Sequence, residues 1–284
     1  MMFSSNQRRT STGSAALTAP PLVPHDHDLG APDHAEFLGM RFCLWTQADV
    51  VAAIAAHAAD GGGPYRYVVT PNSHHVVAAH DAPARLLPVY RAAWLSLCDS
   101  RIVRALARFD RLALPLCTGS DLVAILLATL NAADRAGPPR RILVVGPPRS
   151  AAAALQTRYP KLAFDVMPAP AGLAQNAELR LAVARACMSR QWDIALLCVG
   201  APAQEMIAHA LAELGCRAGV ALCVGAAIDF LTGASKRAPR VLQRLSLEWA
   251  YRLAREPRRL WRRYLVESPR IVRIFIANRL RHGG

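Results

Sequence analysis

An α/β fold is predicted, a mostly parallel sheet flanked by helices and followed by a helical, basic C-terminal appendage. Three observations predict it. Short apolar runs alternate with longer amphipathic stretches, which is the pattern of βαβ units. Ile142–Val145 and Ile194–Val199 are continuously apolar, as strands covered on both faces are. From Lys236 onward the chain carries fourteen basic residues against three acidic ones, a local charge of +11 within a total of +14.

In chain order, residues 1–35 open Ser/Thr/Pro-rich without a continuous apolar run, so they are read as a disordered tail and not as a secretory signal. An α/β core is assigned to 36–235. Thr46–Ala58 has a helical pattern, with Thr46 as N-cap and Asp49 in its first turn. Strands are predicted at Arg66–Val69, Trp94–Leu97, Ile142–Val145, Ala163–Val166, Ile194–Val199 and Val220–Val224. Between them, helices are predicted at Ser73–Arg91, Ser120–Arg135 (opening on Ser120-Asp121), Ser150–Arg158, Ala177–Arg190 and Pro202–Leu214. The alternation stops near Gly233–Arg237, and 236–284 is assigned to the appendage. There Leu242, Leu245, Trp249, Leu253, Leu260 and Tyr264 recur at roughly helical spacing, and Pro257 should break the helix at Arg255-Glu256. Leu265–Leu280 pairs apolar residues with arginines and resembles an interfacial segment more than a core helix.

Composition narrows the function classes. No run of 18 or more apolar residues appears, which argues against a spanning helix. The seven cysteines have no CxxC spacing and sit mostly in apolar runs, so they are expected to be buried thiols of a reducing, cytoplasmic compartment. His74 and His75 are adjacent and would diverge on a helix, a poor metal set with His80. Gly61-Gly62-Gly63 lacks the lysine of a phosphate-binding loop, and no GxGxxG suggests a dinucleotide.

The polar and glycine residues gather at strand ends. Thr70-Pro71-Asn72 follows the first strand and Asp99 the second. Gly146 follows the third, Gly200 to Glu205 the fifth, and Gly225 to Asp229 the last. In a parallel sheet these loops share the carboxyl edge, where ligands bind. By residue type alone, Asp99 suits a turn or cap, Thr70 and Asn72 a strand end and helix cap, and Glu205 a first-turn dipole partner. Asp229 suits a capping role as well as a ligand contact, and the arginine run suits a solvated face.

Further residues carry a resemblance. TPN at Thr70–Asn72, GSDL at Gly119–Leu122, GAPAQE at Gly200–Glu205 and above all VGAAIDFLTGASKRAPRVLQRLSLEWAYRLAREPRRLWRRYL at Val224–Leu265 resemble the WecG/TagA/CpsF family, the glycosyltransferases of family 26. It runs from about Phe42 to Leu265. It implies a Rossmann-like core whose appendage helps close the site and docks on an anionic membrane surface at the inner face of the cell membrane. The implied reaction is inverting, metal-independent transfer of an N-acetylmannosamine-type sugar, its uronic acid or glucose from a UDP-sugar. The acceptor is a polyprenyl-diphosphate-linked saccharide in exopolysaccharide or cell-envelope glycan assembly, and homo-oligomers are implied. On the resemblance Asp99 is the base and Thr70 and Asn72 bind hydroxyls. Gln204, Glu205, Gly146, Gly200 and Asp229 line the donor site, and Arg252, Arg259 and Arg262 grip the diphosphate, for which guanidinium forks are suited.

Two departures stand out. Where the family usually has a DGxG-like loop, this chain has Asp99-Ser100-Arg101-Ile102. The PxRVTG-like arginine is missing from Pro115–Gly119, and Arg101, Arg108 and Arg111 are the candidates to replace it. Two readings of other classes stay open. One is a nucleic-acid-binding module using the basic tail, although no known recognition motif is present and no nucleic acid is expected. The other is a catalytically silent scaffold.

Overall fold

The computed structural model describes residues 31–59, 63–133, 137–217, 219–235, 239, 242 and 248–282, with the side chains of Glu248, Arg252, Arg259, Leu260, Arg263, Tyr264 and His282 outside that description. The predicted tail thus falls almost wholly outside the described residues. So do Leu245 and, from the predicted boundary at Gly233–Arg237, Lys236 and Arg237.

Two strands not predicted from sequence come first. β1 (His34–Phe37) and β2 (Met40–Cys43) form an antiparallel hairpin. Its turn is Leu38-Gly39, both at positive φ, the conformation a two-residue hairpin requires. α1 (Gln47–Ala59) follows, with Thr46 and Asp49 exchanging hydrogen bonds as its cap.

The main sheet has six strands, all parallel: β3 (Arg66–Val69), β4 (Leu95–Ser96), β5 (Arg140–Gly146), β6 (Leu162–Pro168), β7 (Ile194–Leu197) and β8 (Val220–Cys223). Their spatial order is β4-β3-β8-β7-β5-β6. Val69 and Leu197 both pair with Cys223, and Val145 pairs with Leu197, so these strands end flush.

Strand alternation sorts the core into two layers. Tyr67, Val69, Leu143, Val145, Ala195, Leu197, Ala221 and Cys223 face one layer. Val68, Ile142, Val144, Ile194, Leu196, Val220 and Leu222 face the other. The first is covered by α2 (Ser73–Asp81), α3 (Pro83–Arg91), α4 (Arg101–Phe109), α7 (Ala177–Met188) and α8 (Ala203–Glu213). The second is covered by α1, α5 (Gly119–Ala132), α6 (Ala151–Arg158) and the short α9 (Ala227–Leu231).

Several expectations change. Ser73–Arg91 is two helices, broken at Ala82 because Pro83 starts a new one. The cap of α5 is Thr118, whose Oγ accepts from the Asp121 N–H, not Ser120. α4 occupies a stretch to which no element was assigned.

In the appendage Pro257 does interrupt the chain: α10 (Glu248–Arg255) ends and α11 (Pro257–Trp261) begins around it. A π-helical turn at Arg262–Glu267 leads into α12 (Arg270–His282). α12 is not solely interfacial, because Ile271 (1% exposed) and Phe275 (7%) enter the first core layer. Phe275 lies between the rings of Phe37 and Phe109, at centroid distances of 6.1 and 6.3 Å. Its opposite face leaves Val272, Ile276 and Leu280 exposed.

Ion pairs reinforce this docking. The Arg270 guanidinium donates to both oxygens of Asp81 at 2.7 Å. His74 Nδ1 lies 3.2 Å from Glu267, and Arg279 Nε 3.5 Å from Asp110. The Arg270 hydrogen bond holds the Asp81 carboxyl below the ordinary value of 3.8. A lowered carboxyl pKa contributes stability above that ordinary value and loses it as pH falls through the lowered one. Asp81→Asn should therefore speed tryptic cleavage at Arg273 several-fold at neutral pH, with an unchanged far-ultraviolet spectrum. Equal cleavage of wild type and variant would show that the pair does not hold the helix.

Candidate active site

Because the central strands end in register, the loops that follow β3, β4, β7 and β8 meet at one edge. They enclose a cavity of about 840 Å³. Leu265, Ser268, Pro269, Ile271 and Val272 of the appendage form part of its wall, and Trp249 of α10 reaches it as well.

Thr70 is buried and its Oγ1 donates to the Cys223 carbonyl at 2.9 Å, tying the end of β3 to that of β8. Its hydroxyl oxygen keeps acceptor capacity towards the cavity, which it lines. Asn72 caps α2: Oδ1 accepts from the His74 N–H at 3.1 Å, and the Asn72 N–H donates to His75 Nδ1 at 3.1 Å. The side-chain amino group of Asn72 makes no described hydrogen bond and belongs to a residue of the cavity wall. Asp99 is half-buried in the same wall, and its N–H donates to the Pro71 carbonyl at 3.0 Å, coupling the β3 and β4 loops.

The thiols near Asp99 are not nucleophiles. Burial pushes Cys98 up to about 11, and burial with the Asp99 charge pushes Cys117 up to about 12. Cys198, in the cavity wall, is raised further by burial.

On the β7 side, Gly200 (φ 81°) and Gln204 line the cavity. Gln204 Oε1 accepts from the Gly225 N–H at 3.0 Å. Asp229, half-buried, lines it from α9. Three residues predicted for the site, Gly146, Glu205 and Arg262, are placed differently. Gly146 is not among the lining residues. Its φ is 128°, and a Cβ there would stand 2.7 Å from the Cys198 carbonyl oxygen, so close packing of neighbouring strand ends explains the glycine. Glu205 is fully buried beneath the wall, facing Gln204 and His75. Arg262 is exposed and does not line the cavity, while the side chains of Arg252 and Arg259 lie outside the description.

The electrostatics favour an anion despite the two aspartates. The first turns of α2, α4, α5 and α8 all open on the cavity, through Ser73, Arg101, Ser120 and Gln204. Unpaired N–H groups and helix dipoles make such ends attractive to negative charge. Among the described lining residues Arg101 is the only lysine or arginine, and it makes no described hydrogen bond or ion pair. Arg108 and Arg111, the other candidate replacements, do not line the cavity. Among the described residues, no three His, Cys, Asp or Glu side chains form a metal-ligand group.

Sequence reasoning missed Ser100 and Thr118 as wall or capping residues, and His75 as part of the α2 cap. The available signals were local: Asn72 followed three residues later by His75 is a variant of the capping box, and Ser100 and Thr118 precede helices as N-caps.

A parallel sheet with an anion-attracting cleft at its carboxyl edge is the arrangement of an α/β protein that binds a ligand there. The family described as Glycosyl transferase WecG/TagA/CpsF matches residues 35–284. The chain belongs to that family. The match includes the hairpin and α12, more of the chain than the motifs between Phe42 and Leu265 indicated. No described helix is long and apolar enough to cross a membrane.

Proposed function

We propose that this glycosyltransferase moves a sugar from a UDP donor to a polyprenyl-diphosphate-linked saccharide with inversion, at the inner face of the cell membrane. The observation that carries the reading is the single cavity that brings Asp99, Thr70, Asn72, Gln204 and Asp229 together under the appendage. The sugar is of the N-acetylmannosamine type, its uronic acid or glucose, and the product feeds exopolysaccharide or cell-envelope glycan assembly. Asp99 takes the proton from the acceptor hydroxyl, whose oxygen attacks the anomeric carbon as the bond to the UDP oxygen breaks. The helix N-termini and Arg101 stabilise the negative charge that develops on the departing diphosphate. Thr70, Asn72, Gln204 and Asp229 hydrogen-bond the sugars, and Gly200 lets the backbone approach the donor. Arg252 and Arg259 of the appendage are the further cations assigned to the same diphosphate. No step in this scheme calls for a metal.

The outer surface of the appendage suits a bilayer. Trp261 (48% exposed), Leu265, Val266, Ile276 and Leu280 (80%) are interspersed with arginines. Tryptophan favours the membrane boundary, and basic residues favour anionic headgroups.

Asp99→Asn should lower transfer from UDP-sugars to a polyprenyl-diphosphate saccharide by about 10²–10⁴-fold, the range for losing a general base, with UDP binding retained. Failure of the wild type to use any UDP-hexose would defeat the reading. Arg101→Ala should weaken UDP binding by about tenfold, the scale of a lost charge-assisted hydrogen bond, and leave uridine binding unchanged. Equal UDP affinity would remove Arg101 from the diphosphate site. Trp261→Glu with Leu280→Glu, both at exposed positions, should abolish co-sedimentation with anionic vesicles. Retained pelleting would show that this face is not the anchor.

A further inference from the structure

We propose that Glu205 and His75 are positioning residues, a buried pair that sets the cavity loops after β3 and β8 relative to one another without touching substrate. Glu205 is the only aspartate or glutamate among the buried described residues. It belongs to the first turn of α8, next to Gln204, with which its side chain is hydrogen-bonded. Gln204 reaches the cavity, and Glu205 turns into the protein between α8 and α2.

Glu205 has an arm to each side. On one, Oε1 accepts from Gln204 Nε2 at 2.8 Å, and Gln204 Oε1 accepts from the Gly225 N–H at 3.0 Å, which fixes the loop after β8. On the other, Oε1 lies 3.3 Å from His75 Nε2, a polar contact too bent for a full hydrogen bond. His75 Nδ1 accepts from the Asn72 N–H at 3.1 Å, which fixes the loop after β3. That bond places the ring proton of the neutral imidazole on Nε2, facing the carboxylate. One buried side chain thus connects Asn72 and Gly225, residues of two different loops of the cavity wall.

Stability alone does not account for the arrangement. Burying a carboxyl group is costly unless each oxygen is satisfied. Glu205 Oε2 has no hydrogen-bond partner among the described residues, nor has the neighbouring Tyr90 hydroxyl. Burial, and after it the Glu205 charge, holds the Tyr90 phenol well above its ordinary pKa. An apolar side chain of similar volume would avoid these costs, so the carboxyl is explained by the two loops it aligns. A loop misplaced by about 1 Å can cost as much as 10²-fold in rate.

The catalytic half of this inference rests on the glycosyl-transfer reading above, and the structural half does not. The test is amide hydrogen exchange at Asn72 and Gly225, read beside turnover and UDP affinity. Glu205→Leu removes both arms and should speed exchange at both amides. It should also lower kcat by about ten- to a hundred-fold, with the UDP dissociation constant within about threefold. Glu205→Gln keeps an acceptor oxygen and should restore protection and most of the turnover. His75→Asn keeps an acceptor for the Asn72 N–H but cuts the arm to Glu205, so exchange should rise at Asn72 and stay unchanged at Gly225. This arm-specific result survives even if Glu205→Leu fails to fold. Wild-type protection at both amides in His75→Asn, or equal loosening of both, would overturn the proposal. A wild type that exchanges as described but transfers no sugar would instead sink the proposed function and leave the positioning role standing.

Discussion

The register of the parallel ladder is the constraint on which the rest depends. Val69, Cys223 and Leu197 pair across three adjacent strands, so their chains leave the sheet at one level. Each turns into a helix within a few residues, and so the N-termini of α2 and α8 are directed to the same place. A slip of two residues in β8 would keep every side chain on its proper face, because the strand period is two. It would nevertheless move Gly225 and Asp229 by about two strand rises, roughly 7 Å, out of reach of Gln204 and Thr70. The Thr70–Cys223 and Gln204–Gly225 hydrogen bonds guard against that slip, since they join the loops where the ladder itself has ended.

The charge of the chain and the charge of the cavity are different matters. Nearly all of the positive excess is in the appendage, whereas the described cavity wall holds two aspartates and one arginine. Among the described wall residues, four helix ends stand beside a single arginine as the attraction for an anion. This division suits a transferase. A rim carboxylate has to stay basic enough to accept a proton, and a ring of arginines around Asp99 would depress that basicity. In the proposed reaction, helix dipoles would act on the leaving group with less effect on the base.

What the sequence made legible follows from the range over which each signal acts. Ile142–Val145 and Ile194–Val199 were readable because a strand buried on both faces must be apolar throughout, a property confined to a few residues. The hairpin was not, since HAEF and MRFC mix charge with apolar residues and are only four long. α4 was hidden because its arginines face solvent and only Val103 and Ala107 are buried, so its composition resembles a basic loop. At the site, the loops were legible but the direction of individual residues was not. Gly146 and Gly200 both follow strands, yet one packs on a neighbouring carbonyl and the other meets the cavity. Gln204 and Glu205 are adjacent, and about 100° of helical rotation separates a wall residue from a buried one.

The last helix shows how one segment can serve two surfaces. Ile271 and Phe275, four residues apart, form one apolar stripe that enters the core. Val272, Ile276 and Leu280 repeat the same spacing one residue on and form a second stripe that faces outward. A helix that only docked would need the first stripe, and one that only lay on a membrane would need the second. Val272 also lines the cavity. An acceptor whose lipid part is dissolved in a bilayer against the outward stripe would therefore have its diphosphate-linked saccharide delivered beside that residue, at the mouth of the site. Under the proposed function, holding the core and meeting lipid at once would account for a helix that is apolar on two sides and still rich in arginine.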